Sequence, residues 1–275
     1  KLKVDFFMKS KYKWIIGIII VIIIALLLVV PGMNVQRMDI VGSTSVQPLA
    51  EELADAYDTN HSDIKISVQG GGSGMGIRST HQGIADIGMS SKELDSSDKQ
   101  NITEVELGKE GIVIGVNNGN NISDLSSSQI KGIFNGNITN WKEVGGPDQE
   151  IHVITREEGS GTRDAFTSLI MDKSDIMSSA IVQSSTESVK QAVSTDPGAI
   201  GYMSFAHMSN DVKSLSVDGV QPSEETISNG DYELQRPFLF LIKGKPTGEV
   251  NKFLEWVKSP EGTKIIEENK IIPVS

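Results

Sequence analysis

Apolar positions along the chain come in two textures, short runs with a two-residue period and longer stripes with a helical period. Residues 38–41 (Met-Asp-Ile-Val) and 64–68 (Ile-Lys-Ile-Ser-Val) read as strands, as do 111–116, 151–155 and 238–242. Between the first two, Leu49, Leu53 and Tyr57 share one helical face, and Pro48 fits the first turn, where its missing N–H costs nothing. Ser45 or Thr44 is the expected cap of that helix. Further helices are predicted over 126–134, with Ile130, Ile133 and Phe134 near one face, and from Phe166 through Leu169 and Ile170. Two more fall over 187–194 and around Val250, Phe253, Leu254 and Val257. The cluster Asn117-Asn118-Gly119-Asn120-Asn121 is a turn, and Pro197-Gly198 leads into a strand that reaches Met203. There is no internal repeat. Strands alternating with helices over about 240 residues predict an α/β architecture of two open sheets, with a ligand in the crevice beyond the strands' C-terminal ends.

Three strand-to-helix junctions share one chemistry. Arg156-Glu157-Glu158-Gly159-Ser160-Gly161-Thr162-Arg163 separates the strand at 151–155 from the helix carrying Phe166. Gly42-Ser43-Thr44-Ser45 follows 38–41, and Gln69-Gly70-Gly71-Gly72-Ser73-Gly74 follows 64–68. Free N–H groups and the positive end of the dipole make a helix start an anion site. Glycine, lacking a Cβ, lets the backbone approach a ligand closely. One such junction reads equally well as a serine-capped helix with a surface arginine. Three of them, in a chain with no competing catalytic constellation, predict one oxyanion held by several helix N-termini.

Other chemistries fail on inspection. There is no Gly-x-x-x-x-Gly-Lys-Ser/Thr run, the glycines at 70–76 do not fit Gly-x-Gly-x-x-Gly, and Gly159-Ser160-Gly161 is not a Gly-x-Ser-x-Gly elbow. The four histidines, His61, His81, His152 and His207, lack metal-ligand spacing, and without cysteine a thiolate zinc site is excluded. A hydrolase of phosphate esters would need a base or nucleophile pair that is not visible. The chain therefore reads as a binding protein with no catalytic residues, metal or cofactor.

Residues 14–30 form an uncharged, almost wholly apolar run that as a helix would reach about 25 Å, at the short end of a bilayer span. Lys9, Lys11 and Lys13 just before it keep the N-terminus cytoplasmic. The expected order is a cytoplasmic basic segment (1–13), a transmembrane signal anchor (14–30), a tether (31–37) and an extracytoplasmic domain (38–275), single-pass at the cell membrane. A cleaved signal peptide is the rival reading, but its apolar core is usually shorter and no Ala-x-Ala-like site follows Val30. Five lysines and one aspartate in 1–30 leave −15 of the overall −11 on the other 245 residues. Nucleic acid and anionic membrane surfaces are thereby disfavoured as partners, and local donors rather than the overall field must hold an anion.

Gly42-Ser43-Thr44-Ser45, Gly71-Gly72-Ser73-Gly74, Asp86-Ile87-Gly88-Met89-Ser90-Ser91, the run 133–141 ending Asn-Gly-Asn-Ile-Thr-Asn-Trp, Arg156 through Thr162, and Gly198-Ala199-Ile200-Gly201-Tyr202 occur in that order. Over 38–275 the chain resembles the phosphate-binding proteins of the phosphate-specific ABC importer, and the Asn-Gly-Asn-Ile-Thr-Asn-Trp and Arg-x-x-Gly-Ser-Gly-Thr elements are highly specific. The resemblance implies a two-lobed periplasmic-binding-protein fold, type II-like, with lobe 1 at 38–115 and 235–275, lobe 2 at 116–234, and crossovers near Val116 and before Phe238. It implies inorganic phosphate as ligand and the transmembrane permease subunits of a phosphate ABC importer as partners. Position by position, it assigns hydroxyls and N–H groups to Thr44, Ser45 and Ser73, a guanidinium to Arg156, and hydroxyls with helix-start N–H groups to Ser160, Gly161 and Thr162. Ser91 stands where family members commonly have an aspartate that accepts the phosphate proton, so discrimination against sulfate is expected to be weaker. Glu158 is expected to orient Arg156 or to restore that discrimination. Trp141 and Tyr202 are expected to be core residues. A binding protein for sulfate or molybdate, or a surface anion sensor on the same scaffold, is the alternative.

Overall fold

The computed structural model describes residues 35–172 and 174–274, so the expected basic segment, the anchor at 14–30 and most of the tether lie outside the described residues. Among the described residues no helix is long and apolar enough to cross a membrane. The chain begins β1 (Gln36–Gly42), α1 (Gln47–Asn60), β2 (Ile64–Gly70), α2 (Ser73–Gln82), β3 (Ile87–Ser90) and β4 (Ile102–Asn117). It continues β5 (Asp124–Leu125), α3 (Ser127–Phe134), β6 (His152–Arg156), α4 (Gly161–Leu169), β7 (Ile181–Gln183), α5 (Thr186–Thr195) and β8 (Ala199–Ser204). The remainder is β9 (Val212–Ser214), β10 (Ser216–Val217), α6 (Glu224–Ser228), β11 (Gln235–Lys243), α7 (Gly248–Val257), α8 (Pro260–Glu268) and β12 (Ile272–Pro273).

The main strands pair in the order β2-β1-β3-β11-β4-β8-β6-β7. β1 runs parallel to β3, and β6 runs parallel to both β7 and β8. β11 is antiparallel to β3 and to β4, and β4 is antiparallel to β8. β4 changes partners along its length. Its residues 102–111 pair with β11, and from Ile112 onward it pairs with β8 and β9. The return crossing lies beside it, where Ile112 N donates to Leu234 O at 2.7 Å and Gln235 pairs with Gly111.

Among the described residues the two largest hydrophobic cores flank this crossing, with two smaller clusters beside them, and the two large cores make the described domain two-lobed. Met38, Ile40, Leu53, Tyr57, Met89, Phe240 and Phe253 belong to one, and Ile112, Phe134, Trp141, Phe166, Tyr202 and Leu234 to the other. Trp141 and Tyr202 are core residues, and the indole N–H of Trp141 donates to Gly198 O at 3.1 Å. Removing buried aromatic area of that kind costs about 3–5 kcal/mol, so each lobe has its own stabilising centre.

One cap differs from expectation. Val46, not Ser45 or Thr44, is the N-cap of α1, and no side chain caps the helix. The turn before it closes through Val46 N and Gln47 N onto Ser43 O. That leaves the Ser45 hydroxyl free to reach the other lobe.

Candidate anion site

The starts of four helices meet across the two lobes. α1 and α2 come from the first lobe, α2 packing on β11, and α4 and α5 from the second, α5 packing on β6 and β8. Gly72 and Gly159 both take φ near 85°, the left-handed region that glycine enters without steric cost. Through them the backbones touch, with Gly74 N donating to Gly159 O at 2.9 Å. Ser45 Oγ lies 2.9 Å from Thr162 Oγ1 and 2.9 Å from Thr186 Oγ1. Lys92 and Asp164 form a further cross-lobe ion pair at 2.8 Å. The lobes are closed on one another.

Arg156 ends β6 with its side chain only 1% exposed. Its Nε and Nη2 donate to the two oxygens of Glu157 at 2.9 and 2.8 Å, a bidentate pair that fixes the guanidinium plane. Nη1 donates to Thr186 Oγ1 and Nη2 to Thr44 Oγ1, both at 3.2 Å. The core of the second lobe holds the strand end in place. Arg156 N donates to the Tyr202 hydroxyl at 3.2 Å, and the Tyr202 ring stacks on Phe166 at 4.2 Å. Burial raises the Tyr202 pKa, so its hydroxyl stays protonated.

Glu158 does not orient this arginine; Glu157 does. Ser160 N closes the turn onto Glu157 O at 3.3 Å, which leaves Glu158 exposed at the corner. Glu158 instead lines a side cleft of about 790 Å³ with Arg163 and Lys92. The adjacent acids are indistinguishable in sequence, and only the turn geometry separates them.

Ser160 is the N-cap of α4, its Oγ accepting from Arg163 N at 3.3 Å, so the plain helix-cap reading describes this residue's bond. On the facing side, Ser91 N donates to Ser73 Oγ at 3.0 Å, and the two hydroxyl oxygens lie 3.3 Å apart. Gly161 fits against them so closely that a Cβ there would lie 2.2 Å from Ser73 Oγ. Thr44, Ser45, Ser73, Ser91, Arg156, Ser160, Gly161 and Thr162 therefore occupy one cross-lobe cluster.

Several members of the cluster were not anticipated. Ser43 donates to Ser91 Oγ at 2.8 Å. Thr186 opens α5, a fourth strand-turn-helix junction whose signal, Ser184-Ser185-Thr186 after a short exposed strand, is weak. Arg236 and Glu110 form an ion pair at 2.8 Å with side chains 1% and 0% exposed. Burial pushes the Arg236 pKa down while the Glu110 charge pushes it back up, and a guanidinium stays charged throughout. The side-chain donors are hydroxyls and guanidinium N–H groups, and the carboxylates Glu157 and Glu110 are both engaged by arginines. Among the described residues no group of three or more His, Asp or Glu side chains is placed to hold a metal ion.

Fold and cluster together define a two-lobed solute-binding protein. The family model described as "PBP superfamily domain" matches residues 32–261. The phosphate-binding protein PstS of Bacillus subtilis (strain 168) is 34% identical over 243 residues, spanning 86% of this chain and 81% of its own length. Among solved structures, a Clostridium perfringens chain described as a phosphate ABC transporter substrate-binding protein with bound phosphate is 36% identical, with a TM-score of 0.84 over 87% of this chain and 100% of that one. An ABC-type phosphate transport receptor from Vibrio cholerae is also 36% identical, with a TM-score of 0.73 over 86% of this chain and 100% of that one. The chain belongs to the PBP superfamily and, within it, to the family of the phosphate-binding proteins PstS.

Proposed function

We propose that this chain binds inorganic phosphate outside the cytoplasm and delivers it to the permease subunits of an ABC importer; it is a binding protein and not an enzyme. The observation that carries the reading is the cross-lobe cluster of hydroxyls around buried Arg156, on a fold shared with the phosphate-bound Clostridium perfringens relative. Thr44, Ser45, Ser73, Ser91, Arg156, Ser160, Gly161 and Thr162 supply the donors. Hydrogen bonds to a charged partner contribute roughly 1.5–3 kcal/mol each, so several are needed to offset the dehydration of a small divalent anion. An anion touching both lobes stabilises the closed form, which gives the permease a shape to recognise.

Phosphate is assigned on the ligand of the relatives, and discrimination against sulfate is weaker than a carboxylate at position 91 would give. Ser91 Oγ already accepts from Ser43 Oγ and from Arg236 Nη1, so its own proton is the group it can offer an anion. Lobe 1 takes 38–115 and 235–275 and lobe 2 takes 116–234; in support, β4 changes partner between Gly111 and Ile112, just before the expected crossover near Val116, and the return lies between Leu234 and Gln235. The apolar run 14–30 anchors the domain at the cell membrane, its length and the lysines before it being those of a single span.

One uptake experiment tests delivery and anchoring together. Cells lacking this chain are expected to take up labelled phosphate slowly, and the chain of 275 residues to restore the rate. Restoration of sulfate uptake with none of phosphate uptake would overturn the assignment. Equal restoration by a secreted form lacking residues 14–30 would overturn the anchor.

A further inference from the structure

Arg236 lies at the start of β11, directly opposite Glu110 on β4, on the two strands that cross between the lobes. Glu110 accepts from Arg236 Nε at 2.8 Å through one oxygen and from the Ser204 hydroxyl through the other. Arg236 Nη1 faces both lobes at once. It donates to Ser91 Oγ at 3.2 Å in the first and to Thr162 Oγ1 at 2.7 Å in the second. Its Nη2 is buried and has no hydrogen-bond partner among the described residues. A buried charged donor left open is costly unless something accepts from it, so such a group calls for an explanation.

We infer that Arg236 is a second cationic element of the anion site and a clasp between the lobes, held in position by Glu110. The inference rests on the phosphate-binding reading above and adds a residue to it. By filling lone pairs on Ser91 and Thr162, the guanidinium turns both hydroxyl protons away from itself and toward a bound anion. Its charge acts on the same anion from the hinge side, whereas Arg156 acts from the end of β6. Because Nη1 reaches Ser91 and Thr162 only when the lobes meet, its bonds also favour the closed form. Arg236 is thus a positioning residue whose charge the ligand feels.

The test must separate this role from that of a structural ion pair. Replacing both partners of a buried pair by apolar residues of similar size is often neutral for stability. Glu110→Leu/Arg236→Met is therefore expected to melt close to wild type yet bind phosphate about 100-fold or more weakly. Arg236→Lys keeps a charge for Glu110, but a single ammonium seated on Glu110 lacks the fork that also reaches Ser91 and Thr162, so about a tenfold loss is expected. Calorimetric affinity and thermal melting of both variants decide the matter. Either variant, folded and binding within about threefold of wild type, would overturn the inference. If wild type binds sulfate or molybdate instead of phosphate, the phosphate assignment falls and the same ratio, read with that oxyanion, still decides Arg236. A wild-type chain that binds none of the three overturns both.

Discussion

Arg156→Met is expected to lower phosphate affinity about a thousandfold, the largest single effect in the molecule. The guanidinium is buried at the end of β6 and is the central donor group of the cross-lobe cluster. One Nη1 N–H is unengaged among the described residues and a long contact to Thr44 or Thr186 can pass to the anion, so two charge-assisted bonds are lost, roughly 3–6 kcal/mol at about 1.4 kcal/mol per factor of ten. A second effect has the same sign. Glu157 would lose its bidentate partner and leave an uncompensated carboxylate beside the incoming anion. Because Glu157 is 30% exposed, water can rehydrate it, so the fold should survive with a modest drop in melting temperature. Titration calorimetry with a parallel melt checks this. An affinity within tenfold of wild type would mean that the anion is held elsewhere.

Gly161→Ala is expected to leave the lobes intact and stop them from closing. Gly161 begins α4, where alanine is the better helix former, so the second lobe loses nothing locally. The added methyl would sit 2.2 Å from Ser73 Oγ, 2.7 Å from Ser91 Oγ and 3.0 Å from Ser73 Cβ, all on the opposite lobe. Either the lobes stand apart by about 1 Å, beyond good hydrogen-bonding geometry, or both serines swing away and withdraw their donors. Affinity is expected to fall about 100-fold by either route. Small-angle scattering gives an independent readout. Wild type should become more compact on adding phosphate, and the variant should not; compaction of the variant to the same degree would refute the steric account.

Much of this site could be read in the sequence because its chemistry is local. Gly42 to Ser45, Gly70 to Gly74 and Arg156 to Thr162 each carry glycine, hydroxyl and helix-start signals within a few residues. What escaped depends on residues far apart in the chain. Glu110 and Arg236 look like ordinary surface charges on alternating strands, and only the antiparallel register of β4 with β11 buries them together. The first half of β4 escaped for a related reason. Residues 102–110 mix Ile, Val and Leu with Thr, Glu and Lys, as suits a half-exposed strand, whereas 111–116 are buried and uniformly apolar or glycine. Cap identity also depended on the turn before the helix. A hydroxyl near a helix start can cap it, as Ser160 does, or reach across to another element, as Ser45 does.

Closed lobes holding one anion in a donor-rich cluster, where Glu157 and Glu110 are both paired with arginines, give a single binding site per chain. Calorimetric titration of the domain from Val35 onward with phosphate, sulfate and molybdate reads out that site. One phosphate per chain is expected, bound more tightly than the other two, with sulfate binding weaker but measurable. Tight sulfate binding with no phosphate binding would contradict it.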